Sequence, residues 1–131
     1  MNDETLAVVA GRHPHAQYGV VNTPIYRAST IVFKTFAEFE TAADEPAEFR
    51  FAYGRLGTPT SASLEEAVAQ LEGGKYCRLA PSGLGAITTA LMAFLSAGDH
   101  LLLTQGAYPP TIRFCESILR KFGVETPCII R

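Results

Sequence analysis

From residue 59 onward, apolar side chains recur with helical and strand periods in turn; before it they are scattered among turn-forming residues. Thr58-Pro59 pairs an N-cap residue with a proline at the first helical position. Leu64, Ala67, Val68 and Leu71 follow at i, i+3, i+4 and i+7, which predicts one apolar helix face, and Gly73-Gly74 supplies the stop. Tyr76 to Ala80 reads as a short strand and Pro81-Ser82-Gly83 as a turn. Leu84, Ile87, Thr88, Leu91 and Leu95 line one face of a second helix. Ala86, Ala90, Ala93 and Phe94 make its other face apolar too, so burial on most sides is expected. Ala97-Gly98-Asp99 closes it. His100 to Thr104 is the next predicted strand, Gln105 to Pro110 a loop. Cys115, Ile118, Leu119 and Phe122 mark a third helix ending at Gly123, and Val124 to Ile130 a last strand.

Helix and strand alternating at these lengths predict an α/β fold with an at least partly parallel sheet. Residues 1 to 58 carry Gly11, Pro14, Asn22, Pro24, Pro46, Gly54 and Gly57 and little periodicity, so a loop-rich N-terminal arm is expected there. Residues 59 to 131 are expected to begin an α/β domain. The chain stops directly after a predicted strand, which reads as the opening of a larger, truncated domain.

Composition narrows the function. Hydrophobic residues make up 47% and charged residues 18%, enough for a packed core. Eleven Lys and Arg against 13 Asp and Glu leave no basic excess for a nucleic-acid backbone. The apolar run Gly83 to Ala97 is too short to span a bilayer, and the acidic start Asp3-Glu4 argues against a signal peptide. Cys77, Cys115 and Cys128 are widely spaced and form no disulfide framework, so a cytoplasmic location is expected.

Three places can carry chemistry. In Pro81-Ser82-Gly83-Leu84-Gly85, unpaired backbone N–H groups at a helix start can hold a phosphate, and glycine lets it approach. The same run can equally be a strand-to-helix turn that binds nothing. In an extended segment Tyr53 and Arg55, at i and i+2, point the same way, and a phenol beside a guanidinium can donate to one phosphate. Alternatively they form a surface loop. Tyr108, after the strand at 100 to 104, can stack on a flat ring or sit half-buried in its loop. His13-Pro14-His15 lacks further ligands, so no metal site is expected. Cys77 and Cys115 read as core, Glu38, Glu40, Glu65 and Glu66 as solvated helix faces, and Ser82 lacks hydrolase partners at motif spacing.

As an ordered set, FAYGRLGTPT, LEEAVAQLEGG, APSGLGAI and AGDHLLLTQGAYPPT resemble the N-terminal third of the Cys/Met-metabolism family of PLP-dependent enzymes, nearest its cystathionine β-lyase subgroup. The stretch Val21 to Thr30 and the run Thr111-Ile112-Arg113-Phe114-Cys115 fit as well. The resemblance implies a fold-type-I, aminotransferase-like domain and pyridoxal 5'-phosphate as cofactor. It implies that Gly83 and Leu84 give N–H groups to the cofactor phosphate, that Tyr53 and Arg55 reach it from a neighbouring subunit, and that Tyr108 stacks on the pyridine ring. It further implies a homo-oligomer, a tetramer at full length, and a cystathionine-like amino-acid substrate cleaved to homocysteine, pyruvate and ammonia. A γ-synthase, γ-lyase or sulfhydrylase is the alternative within the family, and a non-catalytic phosphate-binding or oligomerisation remnant the alternative outside it. Where the family has Asp-Ser-x-Tyr-Gly, this chain has Gln105-Gly106-Ala107-Tyr108-Pro109. Lys34, Lys75 and Lys121 do not match the family's cofactor-holding lysine, so no catalytic residue is expected in the chain and activity is expected to be absent.

Overall fold

The computed structural model describes residues 2–44 and 51–129. Pro46 and Ile130, both used above, lie outside the described residues. The chain forms two compact units, Met1–Leu79 and Ala80–Arg131.

In the first unit, α1 (Asp3–Val9) starts at Asn2, whose side chain accepts the Thr5 N–H at 2.9 Å. Asp3 and Glu4 in its first turn complement the helix dipole. A 3-10 turn follows at Pro14–Gln17. Helix α2 (Phe36–Asp44) lies in the stretch expected to be loop-rich. Its start is nevertheless encoded: Thr35 accepts the Glu38 N–H at 3.2 Å, and the Glu38 carboxylate accepts the N–H of Thr35 at 3.4 Å and that of Lys34 at 2.9 Å. That Thr-x-x-Glu spacing is a capping box, a signal independent of the hydrophobic pattern.

Helix α3 (Pro59–Glu72) forms where Thr58-Pro59 and Gly73-Gly74 predict it. Thr58 and Ser61 cap it reciprocally, and Gly73 ends it in the left-handed region at φ 65°. Its covered side differs from the predicted leucine face. Leu64 and Leu71 stay exposed, while Gly11 lies against the Ser63 backbone and Ala67 and the Ser63 hydroxyl donates to the Gly11 carbonyl. A backbone approaching this closely needs the small Ser63 and Ala67 beneath it, not leucines.

The strand expected at Tyr76 to Ala80 does not form among the described residues. A strand needs a neighbouring backbone, and here the Leu79 N–H goes to a side chain, donating to Glu65 Oε1 at 3.0 Å. The other Glu65 oxygen lies 3.3 Å from Arg78 Nη1, so Glu65 is not a merely solvated residue. Glu66 lies 2.6 Å from His13 Nε2. Cys77 is only partly buried and lines an open cleft of about 540 Å³, contrary to the core placement expected of it.

The second unit is a β-α-β arrangement preceded by α4 (Gly83–Phe94). Strand β1 (Leu103–Thr104) pairs in parallel with β2 (Cys128–Ile129), with Leu103 opposite Cys128. The parallel pairing extends back through a bridge between His100 and Glu125 and the Leu101 N–H to Glu125 carbonyl bond at 2.7 Å. Between the strands, α5 (Pro109–Ser117) begins at a proline within the predicted loop, as prolines suit a first turn. The predicted third helix is broken: Ile118 interrupts it, and Leu119–Phe122 continues as a 3-10 turn ended by Gly123 at φ 81°. Cys115 and Leu119 therefore face the core with Leu103 and Val124, whereas Ile118 and Phe122 are exposed. Leu91 and Leu95 of α4 pack on this core. The expected burial of α4 on most sides is not met: Met92 and Phe94 are 60% and 86% exposed.

Candidate functional site

Each unit carries one group of the residues singled out in the sequence. In the first, the chain at Tyr53 forms an antiparallel bridge with Thr30, and the Gly54 N–H donates to the Ser29 carbonyl at 2.7 Å. The Leu56 N–H then donates to the Tyr53 carbonyl at 2.8 Å, closing a turn. Tyr53 and Arg55 are thus carried on a turn rather than on an extended segment. Their side chains still adjoin, because the Arg55 guanidinium lies over the Tyr53 ring, 5.7 Å from its centre. The phenol oxygen is 3.5 Å from Ser29 Oγ.

In the second unit, Ser82 is the N-cap of α4, in extended conformation, and its hydroxyl accepts the Gly85 N–H at 3.0 Å. The N–H groups of Gly83 and Leu84 have no carbonyl one turn back within the helix. The space beside Gly83 is open: a Cβ placed there meets no atom within 4 Å. This geometry suits a phosphate, which needs N–H donors and room but no side chain. Replacing Ser82 with Ala is expected to fray this first turn at a cost of about 1 kcal/mol. Faster hydrogen exchange of the Gly85 amide, with Leu95 unchanged, is the measurement; equal Gly85 rates would count against the cap.

Tyr108 ends the β1–α5 connection as the residue before helix position one and is 58% exposed. Its ψ of 122° is what a residue before proline adopts. The departure at Pro109 therefore starts a helix and leaves the ring free to meet a flat partner. A cleft of about 340 Å³ lies between Leu84 and α5, where Arg113 and Phe114 also line it. Nothing in the local sequence pattern marks Arg113 for that place. Among the described residues, no three His, Cys, Asp or Glu side chains cluster as a metal site, and no helix is long and apolar enough to cross a membrane.

A helix start with open backbone amides is one arrangement that can hold a phosphate without a basic side chain. Residues 4–129 match the sequence model of the family described as Cys/Met metabolism PLP-dependent enzyme. The chain belongs to that family, which is PLP-dependent. It is 44% identical over 123 residues to cystathionine beta-lyase of Salmonella typhimurium, covering 94% of this chain and 31% of that protein. To cystathionine beta-lyase of Escherichia coli it is 42% identical over 123 residues, with 94% and 31% covered. The crystal structure of cystathionine gamma-lyase from Lactobacillus plantarum, complexed with L-serine, superposes with a TM-score of 0.83 at 30% identity, covering 99% of this chain and 31% of that one. The fold is accordingly that of a partial fold-type-I α/β domain, and the chain spans about a third of the length of the relatives it matches.

Proposed function

We propose that this chain is the phosphate-binding portion of a PLP-dependent carbon–sulfur lyase that acts on cystathionine, and that the 131 residues alone are inactive. One observation carries the cofactor part of this reading: Ser82 caps Gly85 and leaves the neighbouring Gly83 and Leu84 amides at an open helix start. Gly83 and Leu84 hold the cofactor phosphate through their N–H groups. Tyr53 and Arg55 donate to it from a neighbouring subunit, with residues 1–58 as an inter-subunit arm and 59–131 as the start of the cofactor domain. Tyr108 orients the pyridine ring by stacking. Bound PLP supplies an electron-withdrawing ring at the substrate α-carbon. In the complete enzyme, cystathionine and water yield homocysteine, pyruvate and ammonia. The two beta-lyases, at 44% and 42% identity, stand above the L-methionine gamma-lyase of Treponema denticola at 38%, which favours β- over γ-cleavage. A homo-oligomer, tetrameric at full length and cytoplasmic, completes the reading.

Titration of the chain with PLP, read by displacement with inorganic phosphate, tests it. Weak, reversible binding is expected. Gly83→Pro removes one amide donor at a position where helices accept proline, and Arg55→Ala removes the guanidinium. Each is expected to weaken binding about tenfold or more, the worth of one hydrogen bond to a charged group. No pyruvate is expected from cystathionine. Unchanged affinity in both variants would overturn the phosphate site, and pyruvate release by the chain would overturn its inactivity.

A further inference from the structure

We infer that Thr60 is a positioning residue for the Tyr53–Arg55 pair. The inference rests on the phosphate role proposed for that pair. Inside its own turn, the pair has only short-range closure, from the Leu56 N–H to the Tyr53 carbonyl. What holds the turn in place is the segment Pro24 to Thr30. Thr30 bridges Tyr53, the Ser29 carbonyl takes the Gly54 N–H, and the Ala28 carbonyl lies so close to Gly54 that no Cβ fits between Tyr53 and Arg55.

Residues 24–28 have no helix or ladder of their own to make them stiff. Their other end is tied to α3, most directly by one hydroxyl. Thr60 Oγ1 accepts the Tyr26 N–H at 2.8 Å and donates to the Pro24 carbonyl at 2.8 Å. A single side chain thus serves both backbone groups of Pro24-Ile25-Tyr26, as a neighbouring strand would. Thr60 itself sits in the first turn of α3, which Pro59 and the Thr58–Ser61 cap hold rigid. One turn along, Ser63 Oγ lies 2.7 Å from Thr23 Oγ1 and repeats the tie. The rigidity of α3 therefore passes through Thr60 to the strut at 24–30, and through the strut to the backbone between the phenol and the guanidinium.

Thr60→Val keeps the shape and removes both hydrogen bonds; Thr60→Ser keeps both. Tyr26→Pro removes the N–H bond without touching α3 and serves if the valine variant does not fold. In the full chain, Thr60→Val is expected to speed hydrogen exchange of the Gly54 amide about fivefold, the ordinary worth of one hydrogen bond, and to raise the dissociation constant for PLP by a similar factor. Tyr26→Pro should act in the same direction, Thr60→Ser should match the wild type in both, and the Leu71 amide in α3 should be unmoved throughout. A Gly54 amide that exchanges at the wild-type rate in Thr60→Val and Tyr26→Pro overturns the inference. Faster Gly54 exchange combined with an Arg55→Ala chain that binds PLP as the wild type does would instead sink the phosphate role and leave the positioning standing.

Discussion

Replacing Leu119 with Ala is expected to destroy the cooperative unfolding of the 80–131 unit. Leu119 is 3% exposed, and among the described residues the buried apolar core of this unit is Leu103, Cys115, Leu119 and Val124. A buried Leu→Ala change costs about 2–5 kcal/mol through lost transfer energy and the cavity left behind. A unit this small has little stability in reserve. Leu119 also sits where α5 gives way to the 3-10 turn, and its carbonyl accepts the Val124 N–H at 3.1 Å, so its loss reaches the return into β2. The readout is amide exchange at Leu101 and Leu103, whose N–H groups donate across the parallel pair. Protection there should fall by about thirtyfold or more, the lower end of that cost. Protection within twofold of wild type would show that the core does not hold the strands.

The second large effect is expected at Gly11. Its φ of +66° penalises any residue with a Cβ, and the Cβ would also overlap the backbone oxygen of Ser63. The first penalty is about 1 kcal/mol. The second cannot be relieved by a rotamer, because the obstacle is helix backbone. Gly11→Ala should therefore separate the N-terminal segment from α3 and cost about 3 kcal/mol, in the range of severe backbone strain. Gly19, at φ +82° with no atom within 4 Å of the added carbon, is the internal comparison. Gly19→Ala should cost only the conformational part. Limited proteolysis between residues 12 and 22 measures the difference. Equal resistance of the two alanine variants would refute the close-packing argument.

How much of this was legible depended on how far away the partner lay. Thr58, Pro59, Gly73 and Gly123 announce helix ends because capping is settled within a few residues, and the structure obeys them. The parallel strands at His100 to Thr104 and Val124 to Ile130 were readable from apolar runs between helix signals, as far as the described residues extend. The stretch at Tyr76 to Ala80 was not, because a strand is defined by a second backbone, and the sequence of one segment does not say whether that backbone is at hand. Ile118 broke a helix that its periodicity supported, since spacing alone does not separate α from 3-10 geometry. For the site, Tyr53 and Arg55 do adjoin, but through a turn and not through the extended spacing from which their adjacency was expected. Thr60 left no local trace. It reads as one more first-turn threonine, and its backbone partners at Pro24 and Tyr26 lie more than thirty residues earlier.

The carboxylate of Glu65 has a consequence for the newly made chain. Residues 76–79 lie outside any strand among the described residues, with Tyr76 and Leu79 exposed, so their backbone is open to a neighbouring strand. Glu65 occupies the Leu79 N–H and holds Arg78 beside it. An arriving strand must first displace a carboxylate anchored on α3 and leave its charge at the seam. The Glu65 carboxylate thus withholds one rung of the ladder, the Leu79 N–H, from a strand arriving at this edge.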